Sequence, residues 1–104
     1  MASVAEIITT LNDRFDSDAA GDMNVTFQFD IEDGDNYHIS VNDGACSCAE
    51  GDHDDPDVTL VMNTETLEGI ATGETDGMQA FMSGQLRVEG DMMLATRLGD
   101  LFPN

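Results

Sequence analysis

Phe81-Met82-Ser83-Gly84-Gln85-Leu86-Arg87-Val88-Glu89-Gly90-Asp91-Met92-Met93-Leu94-Ala95-Thr96-Arg97-Leu98 changes backbone type twice in one short run. Gly84 suits the end of a helix, where a residue without Cβ turns the chain into the left-handed region. Leu86-Arg87-Val88 alternates apolar, polar, apolar, as a short strand with one buried face does. Gly90 stops that strand, and Asp91 offers a carboxylate to the free N–H groups of a new helix. Leu94, Leu98, Leu101 and Phe102 then recur at i, i+4, i+7 and i+8, one helix face, and Pro103 closes it. Helix, strand and helix each carry one apolar face, and such faces close only against another layer.

That layer lies upstream. Val25, Phe27, Phe29 and Ile31 alternate with Thr26, Gln28 and Asp30, and Tyr37, Ile39 and Val41 alternate with His38, Ser40 and Asn42. Glu32 to Asn36, centred on Asp33-Gly34, reads as the hairpin loop between them, and Asp43-Gly44 as the turn into a third strand, Ala45 to Ala49. These three strands form an antiparallel meander. An acidic loop, Glu50 to Asp57, leads to a fourth strand with Val58, Leu60 and Met62 on one face. Thr64 is the expected cap of a short helix carrying Leu67, Ile70 and Ala71, ended by Gly73. Thr75 is the expected cap of another carrying Met78, Phe81 and Met82. At the front, Ser3-Val4-Ala5-Glu6 matches a capping box. Val4, Ile7, Ile8, Leu11 and Phe15 fall on one face behind it, and Asp16 to Asp22 ends that helix. The order is helix, strand meander, two short helices, strand, helix, with no internal repeat and no linker. It predicts a single α+β domain over 1–104, one sheet face wet and the other covered by helices.

The run from Phe81 to Leu98 resembles the C-terminal signature of the sterol carrier protein 2 family: an aromatic, a Gly-containing turn, a Leu-x-Val strand, a Gly-Asp-Met turn, then an Ala/Leu helix. Asp57-Val58-Thr59-Leu60 is similar to that family's fourth strand, and the element order agrees over nearly the whole chain. The resemblance implies a five-stranded, mainly antiparallel sheet with helices over one face and a hydrophobic tunnel between. It also implies non-enzymatic binding, and intracellular transfer, of a fatty acid, acyl-CoA, isoprenoid or sterol-like lipid. Carried over by position, the lipid-binding residues would be Leu67, Ile70, Met78, Phe81, Met82 and Leu86, with Met92, Met93, Leu94 and Leu98. Met78, Met82, Met92 and Met93 cluster there, and unbranched, polarizable Met adapts to ligands of varied shape. The alternative is an interaction or oligomerisation module of the same fold with a filled cavity, using the apolar face of its last helix.

Length and charge bound the rest. A chain of 104 residues with 40% hydrophobic content supports one core, too much for a disordered acidic tail. No apolar run approaches the ~18 residues of a membrane-spanning helix. The N-terminus lacks the basic and apolar regions of a signal peptide, and the C-terminus carries no lipidation or retention signal, so a cytoplasmic protein is expected. Acids number 22 against the cations Arg14, Arg87 and Arg97, with no lysine, for a net charge of −19. That excludes nucleic acid as a partner, which needs a basic patch, and argues against docking on anionic membranes. The acids are spread along the chain, so the expected state is a monomer or weak dimer screened by salt, in a salt-adapted cytoplasm.

Chemistry-bearing groups are few. There is no Gly-x-Ser-x-Gly, phosphate-cradling glycine loop or dinucleotide fingerprint, and no carboxylate pair stands out as an acid–base dyad. No enzyme activity, cofactor or metal is expected. Cys46 and Cys48 share one face of a strand, with Cα atoms about 6.5–7 Å apart, at the limit of disulfide reach. Reduced, semi-buried thiols are expected; a metal set with His38 and His53 would depart from the usual Cys-x₂₋₄-Cys spacing. The loop around Gly34 fails as a calcium hand, because its first and twelfth positions are Phe29 and Ser40. His38 reads as solvent-facing. Arg87 and Arg97 either neutralise an anionic head at the tunnel mouth or pair with surface acids.

Overall fold

A computed structural model describes residues 3–102 of the chain. Helix α1, Val4–Asp13, starts with the capping box: Ser3 Oγ accepts from the Glu6 N–H at 3.2 Å, and Glu6 Oε1 accepts from the Ser3 N–H at 3.4 Å. Its buried face is Ile7, Ile8 and Leu11. The segment expected only to end this helix contains a second one, α2, Ser17–Ala20, because the Asp16 carboxylate accepts from the N–H groups of Asp18 and Ala19. Phe15 therefore sits between two helices, where its ring meets Phe102 at 5.8 Å.

Strands β1 (Val25–Ile31), β2 (Tyr37–Asn42), β3 (Ala45–Glu50), β4 (Val58–Met62) and β5 (Arg87–Gly90) form one sheet in the order β3-β2-β1-β4-β5. All neighbours are antiparallel except β1 and β4, which run parallel. The meander is as expected, and both Asp43 and Gly44 have positive φ, as a tight two-residue hairpin turn requires. The parallel pair makes a demand on the acidic loop. From the end of β3 the chain must pass three strands sideways, about 14 Å, and return one strand length, about 17 Å. Residues 51–57 can span only ~23 Å when extended, so the loop lies flat across the outer sheet face.

That crossing changes the reading of the outer face. Gln28, in the central strand, is buried: its amide donates to Asp52 Oδ1 at 2.9 Å and accepts from the His53 N–H at 2.8 Å. Asn36 joins the same Asp52 oxygen. His38, expected in solvent, is half-buried, bonded to the Gly51 carbonyl at 3.0 Å and edge-on to His53 at 5.2 Å. Cys46 and Cys48 pair with Val41 and Ile39 and thus share the inner face, so the sheet separates them from His38. Both are free thiols. Cys46 contacts Asn12 Oδ1 at 3.1 Å, and burial, then Cys48 and Asp13, push its thiol above the ordinary range.

Helices α3 (Thr64–Thr72), α4 (Gly77–Ser83) and α5 (Met92–Leu101) complete the inner layer. Their caps differ by one residue from expectation in two cases. Asn63, not Thr64, caps α3, since the Thr64 N–H and hydroxyl both donate to Asp33 Oδ1 at 2.8 Å. Asp76, not Thr75, caps α4, since Thr75 is bonded through its N–H to the Gly69 carbonyl. Asp91 caps α5 as read, and the expected stop at Pro103 lies outside the described residues. Phe27, Phe29, Ile39 and Leu60 from the sheet meet Ile8, Leu67 and Leu101 from the helices in the fully buried core.

Candidate functional site: an apolar cavity under the last three helices

Two of the covering helices seal poorly. Among the described residues α4 fully buries only Ala80, and α5 only Leu101. Leu94, Ala95 and Leu98 of α5 pack on the core only half-buried, and an apolar space remains between the two helices and the sheet. A cavity of about 490 Å³ results, within the ~300–1,000 Å³ of sites that enclose small molecules. Its floor is Phe29, Leu60, Met62 and Val88 of the sheet with Leu86 just before β5, and Leu11 reaches it from α1. Leu67 and Ile70 come from α3, Met78 and Phe81 from α4. Helix α5 gives Met92, Ala95, Thr96, Leu98 and Gly99, with Phe102 just past its end. The polar side chains on the lining are Thr75, Asp76 and Thr96.

The structure brings Leu67, Ile70, Met78, Phe81, Leu86, Met92 and Leu98 to this cavity, and leaves Met82, Met93 and Leu94 off it. Met82 shares a helix face with Met78 at i+4, but it sits at the C-terminal end of α4, one residue before the helix ends at Ser83, and is 80% exposed against 53% for Met78. Met93 shares its face of α5 with Arg97 and Asp100 at i+4 and i+7 and is 77% exposed. Leu94 is half-buried and packs on the core beside the cavity. Met78, Phe81 and Met92 are partly exposed, so they form an apolar collar at the mouth.

Sequence reasoning missed the floor. The alternation of Phe29, Leu60 and Met62 marked them as inward-facing, but inward could mean core or cavity, and only the stand-off of α4 and α5 decides. It also missed Thr75, Asp76 and Thr96, where a cap motif and a helix-surface threonine gave no sign of a pocket. Both arginines weighed as head-group partners lie off the lining. Arg87 approaches Glu32 at 3.5 Å, while Arg97 donates to the Ala19 carbonyl at 3.0 Å and lies 3.7 Å from Asp100. Among the described residues no three or more His, Cys, Asp or Glu side chains are grouped as metal ligands, and no helix is long and apolar enough to cross a membrane.

The geometry has relatives. Hydroxysteroid dehydrogenase-like protein 2 of Bos taurus is 28% identical over 102 residues, which is 95% of this chain and 24% of that protein. The chain thus spans about a quarter of the length of this curated relative. The solution structure of palmitated SCP2L2 from Aedes aegypti superposes with a TM-score of 0.78 at 21% identity, covering 99% of this chain and 96% of that one. The sec-alkylsulfatase Pisa1 from Pseudomonas sp. contains the same fold in 15% of its length, with a TM-score of 0.81 at 24% identity over 90% of this chain. The family model for the SCP-2 sterol transfer family matches residues 5–103. With nearly every element of the chain inside that match, this protein belongs to the SCP-2 sterol transfer family.

Proposed function

We propose that this chain is a non-enzymatic lipid carrier that holds one apolar chain or ring system between the sheet and helices α3 to α5. The observation that carries this is the cavity of about 490 Å³ with a floor and walls of Phe, Leu, Ile, Val and Met side chains. Burying each CH₂ of a ligand contributes about 0.8 kcal/mol. A dozen carbons would gain on the order of 10 kcal/mol, enough to exceed the cost of association with few polar contacts. Family membership and the palmitated relative of the same fold support the reading. The filled-core interaction module fits less well: Leu98 and Leu101, the face it would use for contacts, are turned inward.

Gly99 provides the test. It lies in α5 on the cavity lining, and a Cβ there would meet nothing within 4 Å. Gly99→Leu should stabilise the helix by about 0.5–1 kcal/mol while its side chain occupies the cavity. Diphenylhexatriene, a neutral fluorescent probe, should saturate the native protein at one equivalent and bind Gly99→Leu at least tenfold more weakly, although the variant melts higher. Absence of saturable binding to the folded native protein in molar KCl would overturn the carrier reading.

A further inference from the structure

Resting on the carrier reading, we infer that the cavity selects electrically neutral lipids, such as alcohols, esters, quinones or hydrocarbons, over lipids with an ionised carboxylate or phosphate head. The inventory of positive charge is short enough to place completely. The side chains able to carry it are three arginines and two histidines. Arg14 reaches the carbonyl of Ala71, Arg87 faces Glu32, and Arg97 faces the Ala19 carbonyl and Asp100. His53, in the acidic loop, meets His38 on the outer face of the sheet, across it from the cavity. None of the five is on the lining, whose polar side chains are the hydroxyls of Thr75 and Thr96 and the carboxylate of Asp76.

Helix starts could in principle substitute for a cation, because their free N–H groups attract anions. At this mouth each start already holds a capping carboxylate. Asp76 Oδ1 accepts from the Met78 N–H at 2.9 Å, and Asp91 Oδ1 accepts from the Met93 N–H at 2.9 Å. An anionic head drawn toward the cavity would meet these negative charges and no counter-charge, and it would lose its water without gaining a partner. A hydroxyl, ester or ketone has no such conflict: the Thr75 hydroxyl can donate to its oxygen, while the Thr96 hydroxyl, which donates to the Met93 carbonyl at 2.7 Å, can accept from a ligand O–H.

Methyl cis-parinarate and cis-parinaric acid form a matched pair of fluorescent probes with the same polyene chain, differing in head charge at pH 8. Both are titrated into the full chain in molar KCl, with circular dichroism confirming the fold. The ester should bind at least tenfold more tightly than the acid. Thr96→Lys, which places a cation on the lining, and Asp76→Asn, which keeps the cap while removing its charge, should each shrink that ratio severalfold. Equal affinity, or tighter binding of the acid, would overturn the selectivity and leave the carrier reading standing. Failure of both probes would overturn both.

Discussion

Carboxylates in this chain serve as acceptors for backbone N–H groups as well as surface charge. Asp16, Asp76 and Asp91 cap helices, and Asp57 Oδ2 accepts from the Thr26 N–H at 2.8 Å. Asp33 ties the β1–β2 loop to the start of α3, and the Thr64 N–H, then its hydroxyl, hold its carboxyl below the ordinary value of 3.8. A carboxyl lowered on folding stabilises fully above its unfolded value and loses that contribution as pH falls through the lowered one. Asp33→Ala should therefore melt below the native protein at pH 7, with the gap closing as the pH falls below 3.8; a pH-independent gap in thermal melts would refute this. At the same scale the two displaced caps show what a sequence leaves open. Asn63-Thr64 and Thr75-Asp76 each present two good capping side chains in a row. The choice is made by distant partners, Asp33 for Thr64 and Gly69 for Thr75.

Among the elements, α3 and α4 meet at a tight corner, where the Thr75 N–H donates to the Gly69 carbonyl at 3.0 Å. Gly69 is buried in α3, and a Cβ added there would lie 2.4 Å from Thr75 Oγ1 and 3.1 Å from its Cβ. Helix propensity alone favours Ala over Gly by about 1 kcal/mol, but forcing Thr75 away costs typically ~1–3 kcal/mol. Gly69→Ala should thus fail to stabilise and instead lose about 1–2 kcal/mol in chemical denaturation; a gain would show that the corner yields freely. The strands and the longer helices were legible because periods of 3.6 and 2 separate them cleanly, whereas α2, with four residues, is too short to show a period. The lining was half legible. Adjacent apolar residues such as Phe81 and Met82 sit about 100° apart on a helix, and the burial of Ala80, which a sequence does not show, turns Phe81 nearer the sheet than Met82.

Across the whole molecule, what the sequence could not supply was the parallel β1–β4 pairing and the loop crossing that follows from it. Each strand's alternation says which face is buried, and nothing about its neighbour. Gln28, spaced like an ordinary solvent-facing residue, became a buried one because seven acidic-loop residues had to cross above it. The net charge of −19 is likewise a property of the whole, and it sets the conditions for any binding experiment, since screening is needed to weaken self-repulsion. The central claim is that ligand enters the cavity and does not merely adsorb to the exposed methionines. Methyl NMR of ¹³C-methionine-labelled protein, titrated with diphenylhexatriene in molar KCl, separates the two. Met62, Met78 and Met92 line the cavity, whereas Met23, Met82 and Met93 do not. Saturable shifts at one equivalent, largest for Met62, Met78 and Met92 with Met23 unmoved, are the predicted result; shifts confined to Met82 and Met93, without saturation, would contradict it.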